Sequence, residues 1–188
     1  MKKNIFTRII AIALIAMSIM AIAIPAMAGS YTNAKVIGGR LNVRKTPSTS
    51  ATIKGYLNTG DRITVEDYDS NAVWLKITSG TYSGYYVMRK FVDVTWCDNA
   101  TSSLLFGSST LSQGSSGKYV YNLQHALNRF YANVGHSLIT VDGSFGPNTE
   151  QAVKDYQGSY ASSGIDGIFG SWTRGKLTNY ITYHNTID

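Results

Sequence analysis

The sequence predicts a multi-domain chain in which a small all-β barrel is followed by an all-α bundle of three helices. Three observations carry that reading. Residues 34–96 consist of short β-branched and aromatic runs broken by Gly, Asn, Asp and Ser. Beyond Gly117 the apolar residues recur at helical spacing. Between the two lies a stretch dominated by Ser, Thr, Gly and Asn.

The chain begins with a segment that belongs to neither domain. Lys2, Lys3 and Arg8 form a basic leader, Ile9 to Ile24 is almost wholly apolar, and Ala26-Met27-Ala28 supplies a small-x-small cleavage site, so residues 1–28 read as a secretory signal peptide. An uncleaved membrane anchor fits less well, because the apolar run is about 16 residues against the ~20 of a spanning helix. No Cys follows the run to take a lipid, and no membrane association is expected after cleavage. The three basic leader residues account for half of the formal net charge of +6, which removes most of the support for a nucleic-acid partner. With 44% apolar residues and the single Cys97, the exported chain relies on packing rather than on internal disulfides.

In the first domain, "KVIGGRLNVRKTP" alternates until Pro47, "ATIKGYL" stops at "NTGDR", and "RITVEDY" runs into "DSN". "VWLKIT" then meets "SGTYSG", and "YYVMRKFVDV" closes the set. Closure into a barrel hides that many strand edges in so short a segment. Residues 97–110, "CDNATSSLLFGSST", read as a linker whose Leu104-Leu105-Phe106 is apolar enough to dock on a neighbour.

The second domain, residues 111–183, places Val120, Leu123, Leu127 and Phe130 on one helical face. Ala152, Val153 and Tyr156 follow on a second helix, and Trp172, Leu177 and Ile181 less regularly on a third. Before each of the last two helices the same phrase occurs, "VDGSFGPNT" at 141–149 and "IDGIFGSWT" at 165–173. Asp-Gly is a strong turn dipeptide, with Gly free to take positive φ and Asp free to accept backbone N–H bonds. Phe145 and Phe169 are expected to pin the turns to the core, Pro147 to begin one helix and Ser171 to cap the other. The phrase therefore reads first as a helix-start turn used twice.

Sharper chemistry is poorly supported. A calcium loop needs alternating oxygen ligands, and each phrase offers one carboxylate before its Phe. His125, His136 and His184 follow no zinc-ligand spacing, so no metal and no cofactor are expected. Asp142 and Asp166 could form a glycosidase pair, but their matching turn positions are what a structural repeat produces. Cys97 lies at the seam between domains, outside a strand–helix catalytic frame. No catalytic residues are assigned, and the chain is not expected to be an enzyme.

The segment from Leu111, Gly114 and Gly117 through Leu123-Gln124 and Leu127, the phrase Asp142 to Thr149, Tyr156-Gln157 and the phrase Asp166 to Thr173 resembles the peptidoglycan-binding domain that accompanies bacterial cell-wall hydrolases. A longer connection, "ANVGHSLIT", and Tyr156 in place of Phe depart from that pattern. Leu41-Asn42-Val43-Arg44, the turns at Pro47 and Gly60, the Trp74 strand, Gly84-Tyr85 and Phe91-Val92 are similar to a bacterial SH3 (SH3b) domain. The first domain is thus expected to be an SH3-like barrel and the second a peptidoglycan-binding three-helix bundle.

Together these resemblances imply a secreted, cell-wall-associated, non-catalytic protein of a Gram-positive bacterium, with peptidoglycan glycan or stem peptide as its partner. Grooves lined by Tyr, Trp, Asn and Arg suit such polar, repetitive ligands. The first domain carries nine basic and five acidic residues, a mild bias toward stem-peptide carboxylates. Candidate ligand-binding residues are Asn42, Arg44, Tyr68, Trp74 and Tyr85 in the first domain, and Gln124, Asp142, Phe145, Asp166 and Trp172 in the second. Core packing is the competing role for Trp74 and Tyr85, and turn scaffolding for the second set. Two other functions remain open: a peptidoglycan hydrolase or a subunit accessory to cell-wall hydrolases, and a wall-retained module whose SH3-like domain recognises a protein.

Overall fold

The computed structural model describes residues 29–69 and 71–187, so the predicted signal peptide lies outside the described residues. Seven strands form the first half: β1 (Ser30–Val36), β2 (Leu41–Arg44), β3 (Ile53–Leu57), β4 (Arg62–Asp67), β5 (Trp74–Ile77), β6 (Tyr86–Met88) and β7 (Val92–Asp93). They make one antiparallel sheet in the order β3-β2-β6-β5-β4-β1-β7. Among the described residues no ladder joins β3 to β7, so the expected barrel is not closed: the sheet keeps two edges. One of them, β7, is two residues long, too short to template a further strand.

Alternation sorts the strands into two faces. Val43, Val65, Leu75, Ile77 and Val87 point inward and are essentially inaccessible, with Tyr31, Val36, Val92 and Val94 completing that side. Two single-turn 3-10 segments, Arg89–Phe91 and Val94–Trp96, flank β7.

The second half contains α1 (Ser102–Phe106), α2 (Lys118–Val134), α3 (Pro147–Gly158) and α4 (Ser171–Ile187). The three longer helices are those the periodicity predicts. Val120, Leu123, Leu127 and Phe130 of α2, Ala152, Val153 and Tyr156 of α3, and Leu177 and Ile181 of α4 are all buried. Trp172 departs from the pattern and is 47% exposed. The inward row of α4 is Thr173, Leu177 and Ile181, spaced by four, and Trp172 falls one residue off that row.

Helix α1 arises inside the Ser/Thr/Gly-rich stretch. Thr101 caps it by accepting the Leu104 N–H at 3.1 Å, and Leu105 and Phe106 are buried against α2 and α4, with Phe106 edge-on to Phe169 at 5.1 Å. Burying two such side chains contributes roughly 1.5–3 kcal/mol each, enough to hold a five-residue helix that would not persist alone.

The two halves meet across buried polar groups. Arg89 is fully enclosed; its guanidinium donates to the Asp67 carboxylate of β4 and, at 3.0 Å, to Oδ1 of Asn122 on α2. Asp67 also accepts from Lys118 Nζ at 2.9 Å, from the Gly29 N–H at 3.0 Å and from the Tyr31 hydroxyl at 3.3 Å. Asn122 in turn donates to the Leu105 carbonyl at 2.7 Å, bringing α1 into the same network. A buried carboxylate with two cationic partners is strongly held, and removing either side of such a pair leaves an uncompensated charge.

Candidate ligand-binding site

The two copies of the turn are built by one device. The carboxamide of Gln124, on α2, accepts the N–H groups of Asp142 and Gly143 at 3.0 and 2.8 Å. Its Nε2 donates to Asp142 Oδ1, the Ser144 carbonyl and Thr149 Oγ1 at 2.9, 3.0 and 3.1 Å. Gln157, on α3, repeats this bond for bond. It accepts from Asp166 and Gly167 at 3.1 and 2.9 Å and donates to Asp166 Oδ1, the Ile168 carbonyl and Thr173 Oγ1 at 2.9, 3.1 and 3.1 Å. In each copy the Asp also accepts, at 2.8 Å, the N–H two residues on.

The glycines of the phrase are required by this geometry. Gly143 and Gly167 sit at φ +76° and +75°, where an L side chain is strained, and a Cβ on Gly143 would fall 2.3 Å from the Tyr121 ring. Phe145 and Phe169 are buried as expected; the Phe145 N–H donates to the Ser115 carbonyl and its carbonyl accepts the Gly114 N–H, while Phe169 exchanges both backbone bonds with Leu111. The predicted cap is displaced by one position: Ser171 is the first residue of α4, and the Gly170 carbonyl accepts the Arg174 N–H, just as Gly146 serves Glu150 before Pro147.

Around the second turn the surface opens into a cleft of about 500 Å³, lined chiefly by Asp166, Ile168, Ser171, Trp172, Ala161 and Gly164. Asp166 is exposed at its rim, and the Ile168 N–H, followed by the Gln157 amide, holds its carboxyl below the usual carboxylate range. The first-turn N–H groups of α4, at Ser171 to Thr173, have no intrahelical acceptor and border the same cleft. The cleft thus offers an aromatic wall, an anionic acceptor and a helix start.

The sheet places most of its candidates together. Asn42 and Arg44 alternate with buried Leu41 and Val43, so they share the face turned away from the core. Arg44 is in register with Tyr86 and donates to the Ala51 carbonyl at 2.9 Å, and Tyr68 packs edge-on to Tyr86 at 4.7 Å. Trp74 lies in the same alternation as Lys76 and is only 7% exposed. Tyr85 alternates away from Tyr86 and packs against the core. In the helical half, Asp142, Asp166 and Trp172 face solvent, whereas Gln124 and Phe145 are interior.

Sequence reasoning did not single out three residues that organise these surfaces. Tyr86 joins Arg44 to Tyr68; its adjacency to Tyr85 in opposite alternation was the available signal. Gln157 was visible in the sequence as the aromatic-Gln pair Tyr156-Gln157, the counterpart of Leu123-Gln124. Arg89 gave no signal, since "MRKF" reads as a solvated basic pair.

What the geometry defines is a two-part chain: an antiparallel sheet module joined to a helical module built on a duplicated Gln-clamped turn. Comparison with known proteins names both parts. Residues 39–89 match the bacterial SH3 domain family, and residues 116–177 match a peptidoglycan binding domain family. The chain carries a bacterial SH3 domain followed by a peptidoglycan-binding domain, in the predicted order.

A zinc D-Ala-D-Ala carboxypeptidase of Streptomyces albus G is 43% identical over 70 residues, which is 37% of this chain and 26% of that protein. The chain therefore spans about a quarter of that relative's length. Among solved structures, a peptidoglycan-binding protein from Clostridioides difficile, in complex with glutamine hydroxamate, shares 24% identity with a TM-score of 0.36, over 72% of this chain and 71% of that one. A periplasmic domain of the EpsAB fusion protein of the Vibrio vulnificus type II secretion system shares 13% identity with a TM-score of 0.33, over 82% and 66%. Both TM-scores are low, and the assignment stands on the two family matches.

Proposed function

We propose that the chain is a secreted, non-catalytic protein of the bacterial cell wall that binds peptidoglycan through both modules. The observation that carries this reading is the cleft at the second turn, where half-exposed Trp172 stands beside Asp166 at the start of α4. An indole of that exposure suits stacking on a sugar ring or an apolar stem-peptide side chain. The unsatisfied N–H groups of α4 suit a peptide carboxylate, and Asp166 a hydroxyl or amide donor. On the sheet, Asn42, Arg44, Tyr68 and Tyr86 form a second polar-aromatic surface, with Trp74 beneath it. Gln124, Asp142, Phe145 and Tyr85 act through the shape of their modules rather than by reaching the ligand.

The hydrolase reading draws on the carboxypeptidase relative. Against it, Cys97 is buried and its thiol is pushed up to about 12, first by desolvation and then by Asp93, which makes it a poor nucleophile. Among the described residues no three His, Cys, Asp or Glu side chains cluster as a metal site. No described helix is long and apolar enough to cross a membrane.

The test is co-sedimentation of residues 29–188 with purified sacculi, scoring muropeptide release in the same tube. The expected result is pelleting without release, reduced several-fold by Trp172→Ala in a folded variant. Release of muropeptides would establish the hydrolase instead. A chain that stays in the supernatant would turn the search to protein partners of the SH3 domain.

A further inference from the structure

The long edge of the sheet is open. β3 pairs with β2 on one side, and among the described residues nothing bonds to the backbone of Ile53–Leu57 from the other. The Lys45 N–H donates to the Thr52 carbonyl at 3.0 Å. By alternation from that bond, Val43–Gly55 and Leu41–Leu57 are the bonded pairs, and the N–H and C=O of Tyr56 point to the open side. The strand is five residues long and carries no Pro, so it is not blunted as β7 is.

The side chains along this edge have two characters. Arg44 is paired with Ile53 and Asn42 with Tyr56, so Ile53 and Tyr56 emerge on the face that Asn42 and Arg44 share, at 40% and 41% exposure. The rest is basic. Residues 40–57 contain Arg40, Arg44, Lys45 and Lys54 and no Asp or Glu. The Arg40 guanidinium lies 3.5 Å from the Tyr56 ring centroid, and Lys54 is the extra residue where the register shifts between Val43 and Arg44. None of the ion pairs among the described residues includes any of these four cations. Asp61, in the turn after β3, accepts the Asn58 N–H.

We propose that β3 is a docking edge for an extended, acidic segment of a partner protein, which adds to the sheet as a further strand. The free N–H and C=O groups supply main-chain bonds whatever the sequence, and the flanking side chains supply the choice. Ile53 and Tyr56 offer apolar contact on the outer face, and the cations favour Glu or Asp beside it. A second copy of this chain is the occupant an open edge invites, and charge argues against it. Two β3 strands side by side would bring the same cations together with no carboxylate between them. Lys54 thus rejects a like strand and admits an acidic one. The proposal concerns a protein partner and does not rest on wall binding at the Trp172 cleft.

The test uses residues 29–188 labelled with ¹⁵N, titrated with a blocked L-peptide of alternating Glu and Val and followed by NMR. The same peptide N-methylated throughout keeps the charge and loses the main-chain donors, and a Lys-Val peptide keeps the backbone and reverses the charge. The expected result is saturable shifts centred on β2 and β3, with slowed hydrogen exchange at the Tyr56 N–H. Both control peptides should bind at least about tenfold more weakly, the equivalent of one or two lost bonds. Arg40→Glu combined with Lys54→Glu, at two exposed positions, should keep the dispersed spectrum of the fold and switch the preference to the Lys-Val peptide. Equal binding of the N-methylated peptide would reduce the effect to charge alone and overturn the proposal. So would absence of saturation, unchanged Tyr56 exchange at saturation, or an unswitched preference in the folded double variant. A peptidoglycan stem peptide that protects Tyr56 better than the Glu-Val peptide, or a dimer formed through β3 in sedimentation, would replace the partner protein with that occupant.

Discussion

The duplicated turn permits a stability experiment with an internal control. Gln124→Glu and Gln157→Glu are nearly isosteric, and each keeps the oxygen that accepts two backbone N–H groups. Each replaces the –NH2, whose two hydrogens serve three oxygens, by a second oxygen facing those same acceptors. Two lost donations cost about 1 kcal/mol each, and the acceptors left unsatisfied in the interior add roughly 1–3 kcal/mol. Both glutamines are almost completely buried, at 1% and 2% exposure, so water cannot substitute. The expected loss is about 3–5 kcal/mol for either variant, read by urea denaturation at pH 7.5. Below about pH 4.3, where an ordinary Glu takes up a proton, the O–H restores one donor and the deficit should shrink. A loss under about 1 kcal/mol at either site would refute the claim that the carboxamide holds the turn. So would a difference between the two sites as large as the effect itself, because the bonding is the same in both.

Three further outcomes follow from the same geometry. Gly167→Ala should cost about 1–2 kcal/mol, the penalty of a left-handed L residue, since its new Cβ meets only the flexible Glu150 and Lys154 chains; Gly143→Ala should cost more, because the Tyr121 ring must move, and thermal unfolding would rank them. Cys97, with its thiol pushed up to about 12, is about one part in 10⁴ thiolate at pH 8, so Ellman's reagent should label it only after denaturation, and prompt labelling of the folded chain would contradict its burial. Burial, the leading influence, lowers the His125 pKa, with Asp93 opposing and Arg89 reinforcing; the unfolded chain therefore binds a proton that the native chain refuses, and stability should fall as pH drops below about 6.5. His125→Gln should flatten that slope between about pH 5 and 6.5 in calorimetric scans.

How much of this was legible depends on whether the partner of a residue lies nearby in sequence. The helices and the Asp-Gly turns were readable because 3.6-residue periodicity and turn chemistry are local, and because the phrase is written twice. The clamp was half visible: Leu123-Gln124 and Tyr156-Gln157 stand out, but Gln124 lies 18 residues before its Asp and Gln157 only 9, so no fixed spacing ties Gln to turn. The connector between them absorbs the difference, and Asn128 ties the longer one down by pairing with the Ile139 N–H and carbonyl at 2.8 and 2.9 Å. Trp172 was grouped less regularly with the apolar row of the third helix and also named as a candidate ligand-binding residue; it lies one position off that row, and one position of offset turns the side chain by about 100°. The barrel expectation rested on the need to hide edges; a two-residue last strand blunts one edge without closure, and β3 remains as the other.

Arg89 lies at the far end of this scale, and it alters the functional argument. Nothing local distinguishes it from neighbouring exposed Lys90; its partners come from elsewhere in the chain, with Asn122 of α2 accepting from its guanidinium and Lys118 of α2 sharing Asp67 with it. The segment between the modules is likewise folded, through α1. Avidity from two tethered modules is usually set by linker length, but here the sheet face and the Trp172 cleft are held by packed side chains. Their separation is then a property of the fold. If both faces bind as proposed, a wall ligand whose repeat matches that separation gains from both at once, and one whose repeat does not engages a single face. On that proposal the wall polymer is selected by spacing as well as by chemistry.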